Sequence, residues 1–92
     1  MAKQRIIWEP RAHAELAGWI TEDRKKALHI LELTKSIAST PFKGIGKPEP
    51  LKYDLAGWRS RRIDRTNRLV YKTTNETIII MSCKYHYEKG RD

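Results

Sequence analysis

The C-terminal half of this chain combines one carboxylate, one imidazole and many cations, the groups that acid–base cleavage of RNA requires. Glu49 lies in the segment Gly44-Ile-Gly-Lys-Pro-Glu-Pro-Leu-Lys52, and His86 lies near the end of the chain. Between them lie Arg61-Arg62 and Arg68. A carboxylate can take a proton from a ribose 2′-OH, an imidazole can give one to the leaving 5′-oxygen, and cations can stabilise the charge that builds on the phosphate. These residue types therefore suit metal-independent cleavage of RNA.

The charge of the chain indicates a polyanionic partner. Its 92 residues contain 19 Lys and Arg against 11 Asp and Glu, which gives a formal net charge of +8. Nucleic acid is the first choice, ahead of a ribonucleoprotein, an acidic protein or an anionic membrane. A membrane is the weakest of these, because the chain has no long apolar run and no helix with an aromatic and leucine face opposite a lysine face.

Length and cysteine content indicate one small domain in a reducing compartment. A chain of this length buries only about 60–65% of its extended surface, so its core is modest and a partner chain would help. Cys83 is the single cysteine and can form no intrachain disulfide, and residues 1–8 lack the apolar core of a signal peptide. We therefore expect a cytoplasmic protein. One cysteine and three scattered histidines give no metal-ligand spacing, so we expect neither metal nor cofactor.

The first half of the chain predicts one strand followed by two helices. The β-branched and aromatic run at residues 4–8 favours a strand. Pro10 suits a first helical turn, and apolar residues then recur at helical spacing, which predicts a helix over residues 10–20. Thr21 is the expected N-cap of a second helix, which ends before Pro41 because the residue before a proline avoids helical geometry. Its apolar stripe comprises Ala27, Ile30, Leu31, Leu33, Thr34 and Ile37.

The second half predicts an ordered loop and then a sheet. Residues 42–50 contain two glycines and two prolines, and the hydrophobic period afterwards changes to two. In the first strand of this half, Trp58, Ser60 and Arg62 lie on one face, and Arg59, Arg61 and Ile63 on the other. Later strands begin at Leu69 and Thr77, and the last runs to Tyr87. The predicted fold is α+β: an N-terminal strand, two helices, then an antiparallel β-meander, with both helices packed on one face of the sheet.

Ordered motifs from Trp8 to Tyr87 make the chain resemble the YoeB/Txe toxins of bacterial type II toxin–antitoxin systems, in the RelE-like superfamily. The family pattern has a Trp after the first strand, then Pro-Phe-x-Gly-x-Gly-Lys-Pro-Glu-Pro-Leu-Lys, Ser-Arg-Arg-Ile, His-Arg-Leu-Val-Tyr and a terminal Tyr-His-Tyr. The matching segments are Trp8, Pro41–Lys52, Ser60–Ile63, Asn67–Tyr71 and Tyr85–Tyr87. Residues 1–87 would form the toxin-like domain, and residues 88–92 a polar tail that we expect to be disordered.

The resemblance implies a ribosome-dependent endoribonuclease. Members of the family look like enzymes that cut mRNA in the ribosomal A site and so stop translation. A cognate YefM/Axe-like antitoxin would neutralise the toxin by covering or distorting its active site, and the complex would bind operator DNA through the antitoxin. Family behaviour favours a homodimer or an antitoxin-bound complex, and a small basic domain is also compatible with a monomer. The expected partners are therefore mRNA, the ribosome and an antitoxin.

Four residues match the family's catalytic motifs, and the resemblance implies a role for each. Glu49 would be the general base and His86 the general acid, since an imidazole carries a transferable proton near pH 7. Arg68 would clamp the scissile phosphate in a bidentate way, with Arg62 as the second choice. Tyr87 would stack on a base or support proton transfer. Attack by the 2′-OH implies a 2′,3′-cyclic phosphate, or its 3′-phosphate hydrolysis product, and a 5′-OH.

Each assignment has a structural alternative. Glu49 can be a loop carboxylate paired to neighbouring lysines, and His86 a structural residue of a strand. The two arginines can be exposed strand residues that discourage edge pairing. We expect Tyr85 to belong to the core.

Further cations are expected to dock on ribosomal RNA, where loss of any one should weaken binding in a salt-dependent way without abolishing chemistry. They are Lys47, Lys52, Arg59, Arg61, Arg62 and Arg65. Two positions depart from the family pattern: Arg59 replaces an expected second aromatic, and Asn67 replaces a common His. These departures concern substrate contacts and strand geometry.

Two rival functions remain open. The first is a non-catalytic RNA- or ribosome-binding inhibitor that occupies the A site, for which basic patches and aromatics would suffice. It would stall ribosomes without new RNA 5′ ends. The second is an operon corepressor that acts beside an antitoxin, which would bind its operator only with the partner and cause no growth arrest alone. A helix-turn-helix would favour the corepressor, and the sequence shows none.

Overall fold

The computed structural model describes residues 4–85, and within them the chain forms a five-stranded sheet and two α-helices. In chain order the elements are β1 (Arg5–Trp8), α1 (Pro10–Glu22), α2 (Arg24–Ser39), β2 (Glu49–Pro50), β3 (Arg59–Arg62), β4 (Arg68–Thr73) and β5 (Thr77–Ser82). The strand order is β1-β5-β4-β3-β2. Strands β3 to β5 pair with one another in antiparallel fashion, as predicted. The short strand β2 lies at the end of the predicted loop and pairs antiparallel to β3, whereas β1 pairs with β5 in parallel. The predicted α+β class is confirmed, in a sheet that is mixed because of β1.

The boundary between the helices is set by Asp23 and not by Thr21. α1 begins at Pro10 and continues through Thr21, whose hydroxyl donates to the Ala17 carbonyl at 3.5 Å. Asp23 is the N-cap of α2 and accepts the N–H of Lys26 at 3.4 Å. The prediction of Thr21 as N-cap is therefore wrong, because α1 continues past it and a carboxylate two residues later caps α2 and also suits the positive end of that helix.

Both helices pack on one face of the sheet, as predicted. The core that they form with the sheet comprises Ala12, Trp19, Ala27, Ile30, Leu33, Ile37, Ile63, Leu69, Tyr71, Ile78, Ile80 and Cys83. Side chains alternate along a strand, so Leu69 and Tyr71 of β4 face the helices while Arg68 and Val70 face away. Leu31 was predicted in the apolar stripe of α2 but is exposed.

The last strand is shorter than predicted. β5 ends at Ser82, after a register shift opposite Val70 and Tyr71 of β4, although the sequence predicted a strand to Tyr87. Tyr85 is 59% exposed and has a φ of 65°, so its assignment to the core is wrong. A non-glycine residue in the left-handed region cannot continue a strand. The predictions for His86, Tyr87 and the tail at 88–92 fall outside the described residues.

Arg61 is fully buried, so its predicted place on the RNA-binding surface is wrong. It shares the helix-facing side of β3 with Ile63, and its guanidinium lies between α2 and the loop that follows it. The acceptors are Tyr71 Oη (3.2 Å), Ser36 Oγ (2.7 Å) and the carbonyls of Ile45 (3.1 Å), Thr40 (2.8 Å) and Lys43 (3.1 Å). A guanidinium has five N–H donors, and all of them are used here on uncharged acceptors.

We expect Arg61→Lys to destabilise the protein strongly and Arg62→Lys to do so very little. A lysine ammonium keeps the charge but has three donors, so some carbonyls of the loop lose their partners. The expected loss in free energy of unfolding is about 2–4 kcal/mol for Arg61→Lys and within about 0.5 kcal/mol for the exposed neighbour. Urea unfolding followed by tryptophan fluorescence measures both, and equal losses would contradict the proposed anchoring role.

Candidate active site on the sheet

The sheet face opposite the helices, here called the site face, carries three of the predicted site residues. Glu49 pairs with Ser60, and Ser60 pairs with Val70 on the next strand. Arg62 pairs with Arg68, two residues further along the same strands. Paired residues share a face, as do residues two apart, so Glu49, Arg62 and Arg68 all project from the site face. Strand spacing and rise place the Cα atoms of Glu49 and Arg68 roughly 12 Å apart.

Short, buried side chains form the floor between these charges. Ser60, Val70 and Ser82 follow one another across β3, β4 and β5 and are all buried. Glu49 and Arg62 are exposed, and Arg68 is half-buried. The arrangement places a carboxylate on one side of a low floor and two guanidinium groups beside it, so a phosphodiester can contact both charge types.

Glu49 is held in place by backbone pairing on both sides. The N–H of Arg62 donates to the Gly46 carbonyl at 2.6 Å, and the N–H of Leu51 donates to the Trp58 carbonyl at 2.9 Å. The two-residue strand β2 is thus pinned to β3 before and after Glu49. The ion pairs found within residues 4–85 join other groups, so the alternative in which a lysine pairs with Glu49 gains no support from the part of the chain that the structure describes.

The loop that leads to Glu49 is anchored by Arg61 and requires glycine. Arg61 binds three carbonyls between residues 40 and 45, and Tyr71 Oη donates to the Pro41 carbonyl at 3.0 Å. Gly46 has a φ of 84°, and a Cβ there would lie 2.9 Å from Leu33 Cδ2 and 3.1 Å from Arg61 Cβ. The glycine therefore allows the chain to pass close to the core just before β2.

The Arg68 guanidinium is held only by weak contacts on the site face. Its Nη1 donates to the carbonyls of Asp64 and Asn67 at 3.3 and 3.4 Å, so the guanidinium lies over the β3–β4 turn. Contacts of this length are at the weak end of hydrogen bonding. An anion can therefore draw the group away from the turn at little cost.

The other predicted RNA-binding cations do not all share the site face. Lys47 and Lys52 are exposed on either side of β2, and Arg65 is exposed in the β3–β4 turn. Arg59 pairs with Tyr71 and therefore faces the helix side, where its guanidinium stacks over the Phe42 ring at 4.7 Å. Within this set only Arg62 projects from the same face as Glu49 by strand alternation.

The segment after β5 is held against α1. The Cys83 N–H donates to Glu15 Oε1 at 2.7 Å, and Trp19 Nε1 donates to the Cys83 carbonyl at 2.8 Å. Burial, together with the charge of Glu15, raises the pKa of Cys83 to about 12, so its thiol stays protonated near neutral pH. Cys83 is thus a packing residue and not a nucleophile.

The same segment then meets the start of β4. The Tyr85 N–H donates to Asn67 Oδ1 at 2.6 Å, and the Arg68 N–H donates to the Tyr85 carbonyl at 3.2 Å. The peptide that precedes His86 in the sequence therefore lies beside Arg68. The assignments of His86 and Tyr87 themselves stay predictions, because both residues lie outside the described part of the chain.

Sequence reasoning missed the pair formed by Asp64 and Asn67. Asp64 accepts hydrogen bonds from the N–H groups of Thr66 (2.8 Å) and Asn67 (2.7 Å). Asn67 Nδ2 also donates to both carboxylate oxygens of Asp64, at 3.0 and 3.1 Å. The Asp64 carboxylate also lies 3.3 Å from Lys26 Nζ. An Asp that begins a turn and accepts a hydrogen bond from the backbone two residues later is a known turn signal. The Asp64-x-x-Asn67 spacing could therefore have indicated this pair from the sequence.

Two general findings concern ligands and membranes. Within residues 4–85, no three His, Cys, Asp or Glu side chains are grouped so that they could hold a metal ion. Over the same residues, neither helix is long and apolar enough to cross a membrane.

A small α+β domain with a carboxylate and paired arginines on one sheet face has close counterparts among known proteins. The sequence pattern of a family described as "YoeB-like toxin of bacterial type II toxin-antitoxin system" matches residues 8–87. Toxin YoeB of Streptomyces coelicolor is 51% identical over 83 residues, which cover 90% of this chain and 99% of that protein. The chain belongs to this family of bacterial type II toxins, as its motifs predicted.

Solved structures agree with this membership. The YoeB dimer from Staphylococcus aureus superposes with a TM-score of 0.87 at 44% identity and covers 94% of this chain and 100% of its own. A heterotetrameric YoeB–YefM toxin–antitoxin complex from the same organism gives a TM-score of 0.85 at 44% identity, with the same coverage.

Gly46→Ala should destabilise the protein, whereas Gly18→Ala should not. Alanine at 46 combines an unfavourable φ with contacts of 2.9 and 3.1 Å, while nothing lies within 4 Å of a Cβ at Gly18 in α1. We expect a loss of about 2–4 kcal/mol for Gly46→Ala and a gain of up to about 1 kcal/mol for Gly18→Ala, because alanine favours the helix. Urea unfolding of both variants tests this, and a stable Gly46→Ala protein would contradict the described loop geometry.

The contribution of Asp64 to stability should vanish at low pH. Partial burial raises the pKa of Asp64, but hydrogen bonds from Asn67 and Thr66 and the contact with Lys26 outweigh it and lower the pKa to about 2 from the usual 3.8. A lowered folded-state pKa stabilises the protein above the unfolded value, and this stabilisation is lost as pH falls from about 4 to about 2. The difference in free energy of unfolding between wild type and Asp64→Asn should therefore shrink across that window. A difference that is constant with pH would contradict the assignment.

Proposed function

We propose that this chain is a ribosome-dependent endoribonuclease that cleaves mRNA in the ribosomal A site and thereby inhibits translation. The observation that supports this most strongly is the position of Glu49, Arg62 and Arg68 on one face of the sheet, in a chain with a net charge of +8. The family membership of the chain supports the same function.

The geometry of the site face suits attack by a ribose 2′-OH on the neighbouring phosphate. Glu49 is exposed and belongs to a pinned strand, so its carboxylate can take the 2′-OH proton. Arg68 lies across the floor and binds the phosphate oxygens as negative charge develops on them. The products are a 2′,3′-cyclic phosphate, or the 3′-phosphate that follows from it, and a 5′-OH.

The pairing of Arg62 with Arg68 favours an anionic ligand. Like charges at directly opposed positions of neighbouring strands repel one another. A phosphodiester between them removes this repulsion and gains charge-assisted hydrogen bonds from both guanidinium groups. The two neighbouring positive charges are thus unfavourable in the free protein and favourable in the complex with a phosphodiester.

His86 and Tyr87 complete the proposed chemistry. His86 protonates the leaving 5′-oxygen, and Tyr87 stacks on a base or supports that proton transfer. The support for these roles is the terminal Tyr-His-Tyr motif, together with the contact between the Tyr85 peptide and Arg68.

The proposed RNA-docking surface is smaller than the sequence alone suggested. Lys47, Lys52, Arg62 and Arg65 are exposed and remain in it. Arg61 is removed because it is buried, and Arg59 contributes only at the opposite side of the sheet. Loss of one exposed cation should reduce the salt dependence of ribosome binding while cleavage is retained.

The proposed partners are an antitoxin and a second copy of the chain. The similar proteins from Staphylococcus aureus are described as a YoeB dimer and as a YoeB–YefM heterotetramer. We propose that a YefM-like antitoxin binds this chain, and that operator DNA is bound only through that antitoxin.

Replacement of Glu49 or His86 should abolish cleavage while translation complexes still form. We expect Glu49→Gln and His86→Ala each to lower the cleavage rate by about 100- to 10,000-fold, the usual contribution of a general base or acid. The measurement is primer extension on an mRNA in a purified translation system, with ribosomes and without them. Exposed Glu76 and His13 offer matched controls, and Glu76→Gln and His13→Ala should cleave as the wild type does.

Each rival function gives a different result in this experiment. New 5′ ends at A-site codons that need ribosomes support the nuclease. Stalled ribosomes without new 5′ ends would support a non-catalytic inhibitor. The proposed catalytic residues would then bind RNA or stabilise the fold; they are Glu49, Arg68, His86 and Tyr87. Absence of any effect without an antitoxin, with specific operator binding in its presence, would support the corepressor.

A further inference from the structure

The side chain of Asn67 connects the β3–β4 turn to the last described residue. Its Oδ1 accepts the Tyr85 N–H at 2.6 Å, and its Nδ2 donates to both oxygens of Asp64 at 3.0 and 3.1 Å. These partners fix the orientation of the amide, because the reverse orientation would place its oxygen against a carboxylate. Asn67 is buried, so one side chain has both its donor and its acceptor satisfied by groups from different segments.

Tyr85 is held by its backbone and not by the packing of its ring. Its N–H binds Asn67, and its carbonyl accepts the Arg68 N–H at 3.2 Å. Its φ of 65° is unfavourable for a residue with a Cβ, and 59% of the residue is exposed. Such a conformation persists only where neighbouring groups impose it, and it often does so at functional sites.

We propose that Asn67 is a positioning residue for the proton donor, because it holds the backbone of Tyr85, one residue before His86 in the sequence, beside Arg68. This inference rests on the proposed function, because it treats His86 as the proton donor. Glu15 and Trp19 already fix the Cys83 peptide, so the remaining freedom lies in the two residues that follow it. The Asn67–Tyr85 contact removes that freedom one residue before His86.

The chemistry of the contact defines which substitutions retain it. A residue at position 67 must accept a hydrogen bond from Tyr85 and donate one to Asp64. A neutral imidazole has one acceptor and one donor nitrogen, so Asn67→His can supply both. Asn67→Asp supplies only acceptors and places a second carboxylate beside Asp64, and Asn67→Ala supplies neither.

The test is single-turnover cleavage of mRNA on programmed ribosomes across a range of protein concentrations. It gives a rate at saturation and a half-saturating concentration for wild type, Asn67→Ala, Asn67→Asp and Asn67→His. The exposed Asn75 in the β4–β5 turn offers a matched control, Asn75→Ala. The amide proton shift of Tyr85 and the thermal unfolding midpoint are measured on the same proteins.

We expect Asn67→Ala and Asn67→Asp to lower the rate at saturation by about 10- to 100-fold, with a half-saturating concentration within about threefold of wild type. Asn67→His should retain most of the rate, and Asn75→Ala should equal wild type. In Asn67→Ala the Tyr85 amide proton should move upfield, because it loses a short hydrogen bond.

A wild-type rate in Asn67→Ala, with a shifted Tyr85 amide signal, would overturn the inference while leaving the proposed function intact. A rate that falls only in proportion to the folded fraction would also overturn it, since the role would then be structural. If Asn67→Ala does not fold, equal saturating rates for Asn67→His and Asn67→Asp would overturn it. Absence of ribosome-dependent cleavage in the wild type would overturn the proposed function, and the inference with it.

Discussion

The conformation of the loop between α2 and β2 depends on a buried guanidinium group, that of Arg61. Arg61 lies between α2 and the loop after it, and its five N–H groups bind a serine, a tyrosine and three loop carbonyls. A buried charge is costly unless its hydrogen-bonding capacity is filled, and here uncharged acceptors fill it completely. The loop in turn has no regular structure of its own to satisfy its carbonyls. The guanidinium therefore supplies hydrogen-bond donors and the loop supplies carbonyl acceptors, and these bonds hold the loop in one conformation up to Gly46.

The β3–β4 hairpin positions both ends of the proposed site. On β3, Arg61 anchors the loop that carries Glu49, and the Arg62 N–H pairs with Gly46 at 2.6 Å. In the β3–β4 turn, Asn67 holds the peptide of Tyr85. Arg62 and Arg68 are paired on this same hairpin and face the site. Segments that are far apart in the sequence thus meet because one hairpin has polar side chains aimed at each of them.

Much of this fold could be predicted from the sequence, because its elements follow local patterns. The helical spacing of apolar residues located α1 and α2, and the period of two after residue 50 located β3, β4 and β5, whereas β2 lies in the segment predicted as a loop. The alternation along β3 was also correct, since Arg61 does share a face with Ile63. The error was to assign Arg61 to the surface that docks on RNA, whereas its side chain is fully buried. The acceptors that make burial possible are loop carbonyls, and no residue type identifies a free carbonyl in advance.

The positions of the site residues depend on pairings that the sequence does not specify. The register between β2 and β3 places Glu49 opposite Ser60, and a shift of one residue would turn its carboxylate to the helix side. Tyr85 shows the same limit, because its left-handed conformation depends on Asn67 and Arg68, which lie 17 to 18 positions earlier. A residue pattern can therefore identify the chemistry, whereas non-local hydrogen bonds decide whether its members can act together.

The groups of the proposed site differ in how firmly the free protein holds them. Glu49 belongs to a strand that is hydrogen-bonded to β3 before and after it, and Tyr85 is bound through both its N–H and its carbonyl. The Arg68 guanidinium, in contrast, rests on long contacts, at 3.3 and 3.4 Å. Fixed groups can be aimed before the substrate arrives, which lowers the entropy lost in reaching the transition state. A phosphate that draws Arg68 from the turn would then need side-chain movement alone, on strands whose backbone is already in place.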